Sequence, residues 1–118
     1  MLFRVDPTST VPLGDQIAAS VRRAVAEGAV APGERLPAAR VLAESLGVNV
    51  HTVLRGYQRL REEGLIELRR GRGAAITAGA SPQRARLLER VRGAVADARD
   101  LGMTEDELLT LVRGEFDA

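Results

Sequence analysis

Apolar positions recur along this chain with a helical period broken at regular intervals by glycine and proline. Leu13, Ile17, Val21 and Val25 fall four residues apart, which predicts a first helix from Leu13 to about Glu27, ended by Gly28. Ala31-Pro32-Gly33 reads as a turn, and Glu34-Arg35-Leu36 as a short extended piece. Pro37 suits the first turn of a second helix from Ala38 to Leu46, with Leu42, Ala43 and Leu46 facing inward. Gly47 stops it and Val48 bridges. Asn49 is a candidate N-cap for a third helix from Val50 to about Glu63, whose apolar stripe reads Val53, Leu54, Tyr57 and Leu60. Leu65 to Leu68 and Ala74 to Thr77 are short β-prone runs. They flank the turn Arg69-Arg70-Gly71-Arg72-Gly73, a pattern that predicts a β-hairpin with a basic tip.

Gly79-Ala80-Ser81-Pro82 reads as a linker in which Ser81 caps, and Pro82 begins, a fourth helix to about Asp100. Its stripe is Leu87, Leu88, Val91 and Val95. Thr104 and Glu107 fit the T-x-x-E capping box of a fifth helix carrying Leu108, Leu109, Val112 and Phe116. Two helices do not easily bury two stripes alone, so the better reading gives these eight residues a partner subunit; packing on their own domain is the other reading. The fold class expected is mainly α with a small β-hairpin. A winged helix-turn-helix domain, residues 1–79, precedes a two-helix dimerisation tail, residues 80–118.

Composition narrows the classes. In 118 residues there is no cysteine, which excludes disulfides and thiolate zinc sites. No apolar run reaches membrane-spanning length and no signal-peptide pattern opens the chain, so a cytoplasmic protein without a membrane partner is expected. One histidine and no carboxylates clustered around it offer neither a metal site nor a catalytic constellation, so no cofactor and no enzyme activity are expected. The net charge of +1 conceals a division: residues 1–79 carry eleven Arg against eight acidic residues, residues 80–118 six against eight. All the basic residues are arginine, which a GC-rich coding bias also produces. The argument therefore rests on where they stand.

Helix, extended piece, helix, short turn, helix, hairpin is the element order of a winged helix-turn-helix. In that arrangement the N-terminal residues of the last helix reach base edges in a major groove. Asn49, His51 and Thr52 open that helix with groups suited to hydrogen bonds outward, and Arg55 extends the face by one turn. Asn49 serves equally as a cap, and both roles hold together. Arg59 and Arg61 read as solvated charges paired with Glu62, Glu63 or the tail, and Tyr57 as core. Arg69, Arg70 and Arg72, with Gly71 and Gly73 permitting close backbone approach, read as a clamp on phosphates or a minor groove. Arg40, early in the second helix, stands beside the backbone.

The run PGERLPAARVLAESLGVNVHTVLRGYQRLREEGLIELRRGRGAAIT resembles the DNA-binding domain of the GntR family of bacterial transcription regulators. The matching positions are Pro32-Gly33, Arg35-Leu36-Pro37, Arg40, Leu42-Ala43, Leu46-Gly47-Val48, Thr52-Val53, Leu60, Glu63-Gly64-Leu65 and Gly71-Arg72-Gly73. Pro12-Leu13 and Gln16-Ile17 fit upstream, so the resemblance covers about residues 11–78. With about forty residues after it, the chain is similar to the short YtrA-type subfamily. That resemblance implies a homodimeric DNA-binding regulator, expected to repress from an inverted-repeat operator in double-stranded DNA. Control then falls to an unidentified small-molecule effector bound between the tail helices, or to expression level alone. Two departures matter. Ala38 and Ala39 stand where the family commonly has Ser and an acidic or branched residue, which removes a helix cap and a phosphate contact. Val50 and Leu54 stand where many relatives carry Arg, so base readout is expected to rest on Asn49, His51, Thr52, Arg55 and the wing. The alternative is a winged helix that binds proteins without reading DNA, since fold alone does not fix function.

Overall fold

The computed structural model describes residues 3–71 and 73–118. The elements in order are α1 (Leu13–Ala26), α2 (Ala39–Leu46), α3 (Val50–Glu62), β1 (Ile66–Arg69), β2 (Gly73–Ile76), α4 (Pro82–Asp100) and α5 (Glu105–Asp117). Two compact units divide the chain, residues 1–86 and residues 87–118.

In the first unit the core is aliphatic. α1 buries Ile17, Val21 and Val25, and α3 buries Val53, Tyr57 and Leu60. Each such side chain, taken fully from water, contributes about 1.5–3 kcal/mol. α1 and α3 approach closely because glycines meet there. A Cβ on Gly56 would stand 2.7 Å from the carbonyl oxygen of Gly14, and one on Gly14 would stand 3.2 Å from that of Thr52.

Ala38, the N-cap of α2, offers no side-chain bond, as the missing serine implied. It ends at Gly47, whose left-handed φ of 69° turns the chain into the α2–α3 connection. Asn49 then caps α3, its side chain accepting from the His51 N–H at 2.8 Å. The buried Tyr57 hydroxyl donates to the Pro37 carbonyl at 2.7 Å and ties α3 to the chain entering α2. Burial pushes that hydroxyl's pKa up to about 12.

β1 and β2 pair antiparallel, Ile66 opposite Ile76 and Arg69 opposite Gly73. The extended piece before α2 joins β2 on its other side: Arg35 bridges Ala75, and Leu36 N–H donates to the Ala74 carbonyl at 2.9 Å. Ile66, Ala74 and Ile76 turn inward, so the wing is anchored at its base.

One expected stripe position is wrong. Leu54 is 45% exposed, and Gly56 takes the buried place on α3. The apolar period points at both arcs of the helix, and contact with α1 selects the one that carries the glycine. A polar pair also enters the core unannounced. Arg22 in α1, fully buried, holds Glu63 through Nε and Nη2, both at 2.6 Å. Arg59 reaches the same carboxylate at 3.1 Å.

α4 starts as expected: the Ser81 hydroxyl accepts from the Arg84 N–H at 3.0 Å, with Pro82 in the first position. In the second unit, Met103 N–H donates to the Ala98 carbonyl at 2.8 Å as the chain leaves α4. The Thr104–Glu107 capping box opens α5, and its bonds hold the Glu107 carboxyl below its usual pKa range. α5 buries no residue, and no helix among the described residues is long and apolar enough to cross a membrane.

Candidate nucleic-acid interface

α3 presents two opposite faces. Val53, Gly56, Tyr57 and Leu60 are buried, while His51, Leu54, Arg55 and Gln58 form one exposed stripe at i, i+3, i+4 and i+7. The three-residue turn after α2 fixes where the stripe begins. Thr52 lies at its edge, half-buried toward α1. With Arg55 it lines a shallow groove whose other wall is Pro12 to Asp15 at the start of α1. The fold therefore collects His51, Thr52 and Arg55 at one end of one helix.

Asn49 stands just before them, exposed, with Oδ1 engaged in capping α3. A carbonyl oxygen has two lone pairs, so the cap leaves it able to accept from a base while the amide donates. Arg40 is exposed in the first turn of α2. Val41, beside it, is 61% exposed, an apolar group on a solvated helix.

The hairpin carries the second cluster. Arg69 and Arg70 are exposed at its tip. Gly71 and Gly73, the latter opening β2, adopt φ of 75° and 76°, left-handed backbone that glycine takes without a Cβ penalty. Arg72 lies outside the described residues. Arg69 Nη2 donates to Glu67 Oε1 at 2.7 Å, an ion pair half open to water. Such pairs contribute at most about 1 kcal/mol, so this one yields readily to a phosphate. Arg35 stood in the sequence reading only as a position matching the family, not as a DNA contact. It lines a shallow depression with Glu67 and Arg69 and adds a second guanidinium to this side of the wing. The signal was the alternation around it: Leu36 is buried, so its neighbour on an extended piece faces out.

The described residues contain no cluster of His, Asp and Glu able to hold a metal. On the tail, Leu87, Val91, Leu109, Val112 and Phe116 are exposed, Phe116 by 88%, and Leu88, Val95 and Leu108 are half-exposed. Leu101 and Leu111, not foreseen, are exposed too.

A winged helix-turn-helix that offers a polar-faced third helix and an arginine-bearing wing defines a class, the DNA-binding transcription regulators. The chain belongs to the GntR family: the sequence model of bacterial regulatory proteins, gntR family, matches residues 13–76. It is 30% identical over 112 residues to the HTH-type transcriptional repressor YtrA of Bacillus subtilis, covering 91% of this chain and 86% of that protein. It is 37% identical over 107 residues to the HTH-type transcriptional regulator Rv1152 of Mycobacterium tuberculosis, covering 91% and 88%. Among solved structures it is similar to YtrA from Sulfolobus acidocaldarius, a GntR-family transcription factor. The TM-score is 0.63 at 32% identity, over 81% of this chain and 99% of that one. The protein is thus a YtrA-like DNA-binding transcriptional regulator, and its relatives are regulators rather than enzymes.

Proposed function

We propose that the protein is a cytoplasmic, homodimeric, sequence-specific repressor of an inverted-repeat operator. Residues 1–79 read double-stranded DNA and residues 80–118 join the two subunits. The observation that carries this reading is the exposed stripe His51, Leu54, Arg55 and Gln58, set on the far side of α3 from its buried face. A helix with its polar end free and its back packed is the form that fits a major groove. Asn49 and His51 bond base edges. Thr52 and Arg40 bond phosphates, and Arg55 extends the contact. Leu54, apolar and exposed, meets a thymine methyl. Arg69, Arg70 and Arg72 at the wing, with Gly71 and Gly73, grip the backbone or an adjacent minor groove.

Dimerisation is supported by the apolar tail. Leu87, Leu88, Val91 and Val95 on α4, and Leu108, Leu109, Val112 and Phe116 on α5, are a costly surface for one chain to leave in water. A second copy covers them, and repression is supported by the similarity to a YtrA named as a repressor. The two α3 helices then enter grooves roughly 34 Å apart, or a multiple of that.

Gel shifts across ionic strength test the contacts. Affinity should fall steeply with salt, and Arg70→Ala should lower the log–log slope by about one while weakening all sequences alike. His51→Ala should instead change which bases are preferred. A salt-independent affinity, or an unaltered preference in His51→Ala, contradicts the assignment.

A further inference from the structure

The start of α4 is fastened to the C-terminal ends of two other helices. Arg84 donates from Nε at 3.2 Å and from Nη2 at 3.0 Å to the backbone carbonyl of Glu63, the C-cap of α3. Two residues on, Arg86 Nη2 donates at 3.1 Å to the carbonyl of Ala26, the last residue of α1. Ala85 between them is fully buried. The Ser81 cap fixes the backbone of this turn. Gly64, at φ 77°, makes the room: a Cβ there would stand 3.3 Å from Arg84 Nη2. Carbonyls at helix C-termini lack intrahelical donors and carry the negative end of the helix dipole. Two guanidiniums are therefore held by bonds and by charge where α1 and α3 end. Glu63 doubles the fastening, since its carboxylate holds Arg22 of α1 while its carbonyl holds Arg84.

Neither arginine belongs to the DNA-facing stripe or the wing. Both lie where the winged domain passes into α4, which continues without a break to Asp100. We propose that Arg84 and Arg86 are positioning residues for operator recognition: by holding the first turn of α4 on the ends of α1 and α3, they set which half-site separation the homodimer accepts. The inference rests on the reading of residues 80–118 as the dimerisation tail. One extra base pair turns a half-site by about a tenth of a helical repeat and moves it along the axis. A dimer whose reading helices are firmly tied to the subunit junction rejects that displacement. One whose ties are cut follows it.

The test uses the full-length protein and duplexes carrying the half-site recovered by selection from a random pool, duplicated as an inverted repeat. The separation is varied one base pair at a time. Wild type should show one preferred separation and lose about tenfold in affinity one base pair away, an effect of lost simultaneous engagement. Arg84→Ala/Arg86→Ala should lose only about twofold there. Its affinity for a duplex with a single half-site and its sedimentation should stay as in wild type, while its melting temperature falls by about a few degrees for the exposed bonds lost. Arg84→Lys, which keeps the charge but only one donor nitrogen, should restore part of the discrimination. A double variant with the wild-type separation profile overturns the proposal. So does one whose single half-site affinity falls in step with the flattened profile, since that marks damage to the domain. Sedimentation without DNA reads the underlying assumption by itself: a monomeric wild type removes the dimer reading, and this inference with it.

Discussion

Glu63→Ala is expected to lower the unfolding free energy by about 3–5 kcal/mol, the range for leaving one partner of a buried ion pair alone. Glu63 is 11% exposed, and its carboxylate is the counter-charge of a guanidinium that is 0% exposed. Removing it takes the carboxylate away from that buried guanidinium and from Arg59. Arg22→Leu/Glu63→Leu should cost less than the single change, because it takes away both charges and fills the volume. Urea unfolding at fixed protein concentration measures both; equal costs would contradict the coupling. The same pair gives a pH dependence. Burial pushes the Glu63 carboxyl up, but its hydrogen bonds and the charges of Arg22 and Arg59 outweigh that, and the net pKa lies below the ordinary 4.5. A depressed folded value means stability that is fully present above 4.5 and lost as pH falls through the folded pKa. Glu63→Gln should flatten that acid limb. An acid limb as steep as in wild type would assign it to other carboxylates.

Gly56→Ala is expected to be the second large loss. The new Cβ would lie 2.7 Å from the Gly14 carbonyl oxygen and 3.2 Å from Ile17 Cγ2, so α1 and α3 must part. Overpacking of this kind costs about 1–3 kcal/mol. The gain in helix propensity, about 1 kcal/mol, works against it and does not cancel it. Gly93→Ala in α4, where nothing lies within 4 Å, isolates the propensity term and should not destabilise. Because Gly56 sits behind the stripe of His51, Leu54 and Arg55, the wider helix spacing should also weaken DNA binding. Thermal melting and gel shift together check this. A Gly56→Ala protein as stable as wild type would mean the helices separate without cost.

These two residues mark where sequence reading ran out. Signals confined to one turn were legible: the Asn49 and Ser81 caps, the Thr104–Glu107 box, Pro82 in the first position, Gly47 closing α2. The order of helices and hairpin was legible for the same reason, since period and punctuation are local. The Arg22–Glu63 pair was not, because its partners are 41 residues apart and either side chain alone reads as a solvated charge. Leu54 was taken for core because a period of apolar residues does not say which arc meets a neighbour. Gly56 looked like a flaw in a helix until α1 was laid against it. At the candidate interface, the exposed cluster of Asn49, His51 and Arg55 could be located from residue type and position. Arg35 could not be joined to the wing until its bridge to Ala75 brought it there.

The central claim is that α3 reads DNA in a symmetric dimer. Its most direct test is selection of bound duplexes from a random pool by the purified, folded protein, followed by sequencing. The account predicts enrichment of an inverted repeat whose half-site centres lie about one helical turn apart, or a multiple of it. Recovery of no preferred sequence by a folded, dimeric protein would contradict it and leave the exposed face of α3 to a protein partner.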